Sequence, residues 1–407
     1  MTHVLQSLCS WRALSALIAV TALAAGCCGG TESGVGGGGT GSPQSFSQGP
    51  ITGFGSIIVN GVHFDDAPAS VTDDDGNALS GAQGLHLGSL VDVEGGAVSN
   101  GAAKASTIRV HVDLVGPVTA AYDASSHRLA VLGQPVRVVS TTALDGVGGG
   151  AAAIAVGSAV AVSSLYDSAT GVYVATRIDP APAASHFAIR GAPSAIDATA
   201  GTFTIGAAVF SYGSLAPPSP LAAGRLLRAV LATTPDGNGR WVVTGFTQAQ
   251  APLPEGRSGG VNGIVGSVTD ATHFVVNGVA VDASNARITP TGATIGVQAR
   301  VVVQGSVSGG VLVATAVHER ANNDNDDDHD PAAAGGNGTV ELDGTILTLD
   351  TAHQTFTMRG PTTVSYATAS FSGGTASGLA VGTALQVHGN LSADGTEVVA
   401  SRITFTQ

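Results

Sequence analysis

A chain that repeats itself must build the same small fold several times over, and this one repeats itself five times. The segment Ile57-Ile58-Val59-Asn60-Gly61-Val62-His63-Phe64-Asp65 returns as Phe274-Val275-Val276-Asn277-Gly278-Val279-Ala280-Val281-Asp282. Related segments end on Gly133, Gly206 and Gly360, so a marker glycine recurs roughly every 72 residues, with a longer last interval. A second marker is Gly88, Gly157, Gly224, Gly296 and Gly382, each followed at +3 and +5 by apolar residues. Examples are Val91 and Val93 in the first copy, Ala299 and Val301 in the fourth, and Leu385 and Val387 in the fifth. A third marker closes four copies: Ala105-x-x-Ile108, Ala175-x-x-Ile178, Ala314-x-x-Val317 and Ala400-x-x-Ile403. The third copy lacks it and reads Val243-Thr244-Gly245-Phe246.

Alternation after a turn glycine is the pattern of a half-buried strand. Asn60-Gly61 and Asn277-Gly278 suit a type I′ hairpin, which needs positive φ at both central residues. Each copy therefore reads as strand, turn, strand, variable loop, glycine turn, strand, turn, strand. Beyond the N-terminal region no stretch carries the 3.6-residue period of an amphipathic helix. The expected fold class is all-β: about five tandem small β-barrel modules, at residues 51–112, 113–182, 183–250, 260–320 and 339–407. Closure of each barrel removes the sheet edges that invite aggregation. The rival is a five-bladed β-propeller, since five similar repeats can close in a ring. A blade takes about 40–50 residues, however, and an acidic insert at 321–338 interrupts the last interval. Independent barrels would also melt independently, whereas a ring would melt as one.

These markers resemble a bacterial family known as domain of unknown function 5666. The resemblance covers residues 51–407 and rests on the Val-x-Gly turn, the Gly-x-x-Val-x-Val strand and the terminal Ala-x-x-Ile. It implies OB-like or SH3-like barrels carried by signal-bearing or lipidated envelope proteins, and it supplies no catalytic residue.

The N-terminus agrees with that setting. Arg12 precedes the apolar run Ala13 to Ala25, which is too short for a bilayer span of about 20 residues and has the length of a signal-peptide core. Residues 1–26 are read as a signal peptide. Leu23-Ala24-Ala25-Gly26-Cys27 resembles the lipobox of bacterial lipoproteins, in which the cysteine becomes the new N-terminus and carries acyl chains. Ordinary cleavage after Ala22-Leu23-Ala24, without lipid, is the other reading. Residues 27–50 follow as lipidated Cys27 and a Gly/Ser linker. Cys28, where an inner-membrane protein has Asp, points to the outer membrane. The expected location is the cell envelope, on a lipid anchor.

The rest of the chain narrows the chemistry. The cysteines are Cys9, Cys27 and Cys28, so the repeats hold no thiol for a disulfide, a metal or a nucleophile. The net charge is −13 with basic residues scattered singly, which leaves no basic face for nucleic acid. The Asp-rich run containing Asp324, Asp326, Asp328 and Asp330 is the candidate cation site, but it lacks the EF-hand order. A Gly is needed at the sixth position and a Glu at the twelfth, where His329 and Gly335 stand. It reads first as a solvated acidic linker. Asp73-Asp74-Asp75-Gly76-Asn77 reads as a hairpin turn. His63, His318 and His388 have no partners at metal-ligand spacing and read as edge or surface histidines. There is no G-x-S-x-G and no P-loop. The expectation is a non-catalytic envelope lipoprotein with no cofactor. Its modules serve a structural or binding role, and its partners are the membrane and an envelope protein or glycan. Cation binding through the insert, or a hydrolase with a triad assembled from several loops, are the alternatives.

The anchor is directly testable. Cys27→Ser moves the mature protein from the membrane to the soluble fraction. A wild-type chain without acyl mass, or a mutant that still partitions with membranes, contradicts the lipid reading.

Overall fold

The computed structural model describes residues 44–80, 84–217, 221–247, 249–320, 339–360 and 362–406. Among these residues there is no α-helix; the chain runs as strands, with single 3₁₀ turns at Ala151–Ala153 and Ala376–Gly378.

The first module shows the plan. Its strands are β1 (Ser45–Phe54), β2 (Ile57–Val59), β3 (Val62–Asp65), β4 (Ser70–Thr72), β5 (Leu90–Gly95) and β6 (Ala102–His111). β1 pairs antiparallel with β5 along its first half and with β2 beyond a bulge at Ile51–Gly53. β2 and β3 form the Asn60-Gly61 hairpin, with φ of 54° and 76° at the two turn residues. β3 runs parallel to β6, β6 pairs back to β5, and the circuit β1-β2-β3-β6-β5-β1 closes. β4 adds a short parallel pairing to β6. Five principal strands closed by a parallel pair give an OB-like barrel. Every other module closes the same way. Its parallel pair is Gln134–Arg137 with Val172–Pro180, Ala208–Ser211 with Trp241–Thr247, Val279–Asp282 with Val311–Arg320, or Thr362–Ser365 with Val398–Phe405. Each repeat closes on itself, so the blades of a propeller do not form.

The spacing of the third marker has a physical cause. Residues three apart on a regular strand face opposite sides, yet Ala105 and Ile108, Ala175 and Ile178, Ala314 and Val317, and Ala400 and Ile403 are all buried. A β-bulge between the last two principal strands makes up the difference, with register shifts at Glu94/Gly95, Ser163/Ser164, Gln304/Gly305 and His388/Gly389. The second marker slips in one copy. From a positive φ, Gly88 and Gly157 donate their N–H to the first strand and Gly224 and Gly382 to Pro193 and Ile346 just beyond it; in the fourth module Gln298 (φ 71°) does so, not Gly296. The strand therefore reads Val301 and Val303 where the other modules have Val91 and Val93.

The modules are welded through their first strands. β1 pairs in parallel with the first strand of the fourth module (Ser258–Val268), from Ser45↔Ser258 to Gln48↔Val261. Its far end pairs in parallel with the first strand of the fifth (Thr339–Thr345), at Gly53↔Glu341 and Phe54↔Leu342. The first strands of modules two and three meet antiparallel at Val115↔Ala188 and Leu114↔Ile189. Glycine makes these approaches close. A Cβ on Gly259 would lie 2.0 Å from the Phe46 carbonyl oxygen, and one on Gly53 would lie 2.3 Å from that of Glu341. Two expectations are corrected here. Residues 45–50, read as the end of the linker, form a buried strand, because backbone pairing with β5 throughout, and on the other edge over residues 45–48, holds them where apolar content does not. The barrels are not independent, because their cores merge: modules one and five share one apolar cluster, modules two and three another, and Phe46 of β1 enters the core of module four.

Asn277 and Gly278 (φ 48° and 81°) form the expected left-handed turn. Gly278→Val is expected to cost about 1–3 kcal/mol, because a β-branched residue is strained there. In calorimetry the transition that contains modules one, four and five moves as a unit. A fourth module melting alone would contradict the welded arrangement.

Candidate functional site

The link between modules one and two is short: β6 ends at His111 and the next strand begins at Leu114. It carries His111 and Asp113 inward, 4% and 2% exposed. The loop after β4 meets them. Asp73 shapes that loop, accepting from the backbone N–H of Asp75 (2.9 Å) and Asn77 (2.8 Å). The turn predicted from Asp73–Asn77 is thus present, and it also delivers Asp74 and Asp75 to the interior. Module three contributes Arg190 from Phe187–Gly191 and Arg228 from Leu227–Leu231, which stand opposite each other across the sheet.

Like charges opposite one another repel, and Asp74 resolves the conflict. Its Oδ1 accepts from Arg190 at 2.7 Å and from His111 Nδ1 at 2.6 Å, while Oδ2 accepts the Val112 N–H at 3.0 Å and lies 3.5 Å from Arg228 Nε. Arg228 also donates to Asp75 at 2.5 Å and to Thr247 at 2.7 Å. His111 Nε2 bonds Asp92 at 2.8 Å. Asp113 faces Arg190 at 3.4 Å and accepts from the hydroxyl (2.6 Å) and N–H (2.9 Å) of Ser164. The network ties together three modules.

The charge states follow from these contacts. Burial and the Arg190 charge work against the His111 imidazolium, but Asp92 and Asp74 outweigh them and lift it to about 9. Burial likewise opposes the Asp74 carboxylate, yet His111, Arg190 and Arg228 hold it well below the ordinary range. Asp113 goes the other way: burial pushes it up against the pull of Arg190 and Ser164.

Beside this network lies a cavity of about 850 Å³ at the junction of modules one to four. Asp92, His111, Asp113 and Arg190 form a charged wall, Arg225 adds a further charge, Ser164, Tyr166 and Asn262 add polar groups, and Leu90, Leu226 and Val275 give apolar surface. Its volume falls within the range of about 300–1,000 Å³ typical of small-molecule sites. Both nitrogens of His111 are engaged by carboxylates, so it is held as a fixed cation. On the surface, Ser185 Oγ lies 3.3 Å from His186 Nδ1, and His186 Nε2 lies 3.2 Å from Asp75. Neither Ser185 nor His186 lines the cavity. Among the described residues no three His, Cys, Asp or Glu side chains group as a metal site.

His63 is exposed and His318 and His388 are half-buried on their strands; none of the three reaches the cavity. Cys27 and the run Asp324, Asp326, Asp328 and Asp330 lie outside the described residues. The sequence reading missed His111, Asp92, Asp113, Arg190 and Arg228. One signal was present: Arg190 and Arg228 sit singly inside short apolar strands, FAIRG and LRAVL. A charge there on an outward barrel face is buried only if another module covers it.

A family described as Domain of unknown function (DUF5666) matches residues 48–109, 115–179 and 343–404. These are modules one, two and five, so the chain carries tandem copies of that domain; modules three and four repeat its strand circuit. No curated protein matches the chain.

The network predicts a pH dependence of stability. Folded His111 keeps its proton to about pH 9, whereas the unfolded group loses it near 6.5. Its contribution is complete below pH 6.5 and is lost as pH rises to about 9, up to about 3 kcal/mol. Thermal melts of the wild type should fall over that window, and His111→Gln should flatten the fall. Equal slopes in both proteins would contradict the assignment.

Proposed function

We propose that the protein is a non-catalytic lipoprotein of the cell envelope. Its welded barrels form a scaffold, and the cavity at the junction of modules one to four binds a small polar ligand. The observation that carries this reading is the cavity wall itself. Asp92, His111, Asp113 and Arg190 are fixed in place by one another before any ligand arrives. A site built this way loses little conformational entropy on binding. Charges of both signs beside hydroxyl and amide groups suit a polyhydroxyl compound, and a short envelope glycan is the class we favour. Within the cavity the non-catalytic reading is supported by His111, whose two nitrogens are both bonded to carboxylates and offer no free base there. The envelope location rests on the sequence from Arg12 to Cys27 and on the tether that follows it.

A thermal-shift screen with soluble envelope glycan fragments tests the reading. Binding to the folded state raises the melting temperature; saturation at one hundred times Kd corresponds to about 2.7 kcal/mol. Ala222→Trp places an indole in the cavity, and the shift should disappear in that variant while the unliganded melt keeps its pH profile. A shift that survives Ala222→Trp places binding elsewhere, and no shift with any fragment contradicts the glycan assignment.

A further inference from the structure

One charge at the large cavity stands apart from the rest. The charged residues that line it are Asp92, His111, Asp113, Arg190 and Arg225. The first four belong to the network between the modules. In that network Asp74, Asp75 and Asp92 match His111, Arg190 and Arg228 one for one, and burial pushes Asp113 toward its neutral form. Arg225 lies outside this balance. Its side chain is exposed, and among the described residues no ion pair or side-chain hydrogen bond reaches it. Acidic residues outnumber basic ones by 29 to 16 in the chain, yet no described carboxylate stands within ion-pair distance of it.

The repeat shows that the fold does not need an arginine here. Gly224 donates its N–H to Pro193 (2.8 Å), and the Arg225 N–H closes a turn onto the Ala222 carbonyl (3.2 Å). The same turn closes in the other modules, from Ser89 to His86, Ser158 to Ala155, Ala299 to Gly296 and Thr383 to Ala380. Small residues serve at those four places. Module three alone puts a guanidinium there, on a turn whose Ala222, Gly224 and Leu226 also line the cavity. We propose that Arg225 is a specificity-determining residue of the cavity and selects an acidic glycan, one whose sugar carries a carboxylate or a phosphate. The inference rests on the reading of the cavity as a glycan site. A guanidinium fork matches the paired oxygens of either anionic group. A neutral sugar could bond with Ser164, Tyr166 and Asn262, but it would leave Arg225 without an acceptor.

Short uronic-acid oligosaccharides and their methyl esters are the probes, because each pair shares every hydroxyl and differs in charge. On the full chain the acids should raise the melting temperature more than the esters. Titration calorimetry should show them binding about tenfold more tightly, about 1.4 kcal/mol. The difference should shrink at high ionic strength, as an exposed ion pair requires. Arg225→Gln should bind acid and ester alike, and Arg225→Glu should favour the ester. Without sugar both variants should melt with the wild type, because the side chain has no bond to lose. Sugar monophosphates form a second arm: binding tighter than that of the uronic acids identifies the anionic group as phosphate, and weaker binding identifies it as carboxylate. Equal affinity for acid and ester in the wild type, or a preference for the acid that survives Arg225→Gln, overturns the selectivity and leaves the cavity reading in place. Acid binding that survives Ala222→Trp puts the ligand of Arg225 outside the cavity and overturns the proposal. Binding of neither acid, ester nor monophosphate removes the cavity reading and the selectivity together.

Discussion

A β-strand has two edges, and β1 uses both at each of its ends, with different partners at each. Its first half lies between β5 and the first strand of module four, and its second half between β2 and the first strand of module five. The bulge at Ile51–Gly53 makes the exchange, because the added twist turns the strand from one sheet into the next. The common core of modules one and five, the entry of Phe46 into module four and the cavity behind Gln48 and Gly49 all depend on it. A solitary module of about 60 residues buries only about 60% of its unfolded surface. Sharing strands raises that fraction without enlarging any single barrel.

The contacts with module three are of another kind. No first-strand pairing joins it to module one; the bond is the Asp74–Arg190–Arg228 cluster reached by the loop after β4. Buried ions are costly unless every partner is present, so this junction is specific more than it is strong. It works because Asp74 is approached by three cationic side chains and one backbone N–H at once. The same arrangement produces the charged wall of the cavity, which makes the module junction and the candidate binding site one structure.

Much of the fold was legible in the sequence because the markers report backbone geometry. Positive φ at Asn60, Gly61, Asn277 and Gly278, and bulges at Ala105 and Ala400, are local demands that a few residue types satisfy. The slip from Gly296 to Gln298 has a simple cause: alternation has a period of two, so a register displaced by two residues looks the same. Ser45–Pro50 stayed hidden because pairing alone buries it, and SFSQGP contains one large apolar residue. The site was the least legible part. His111 and Asp92 come from module one, Asp113 from module two and Arg190 from module three, and nothing in their local sequence states which module will cover them.

Amide hydrogen exchange across residues 45–54 tests the central claim most directly. With β1 paired on both edges, these amides open only when the assembly unfolds, and they should exchange in the slowest class of the whole chain. Exchange as fast as in an unstructured Gly/Ser tether would show that β1 is no weld and that the barrels hang separately on a flexible chain.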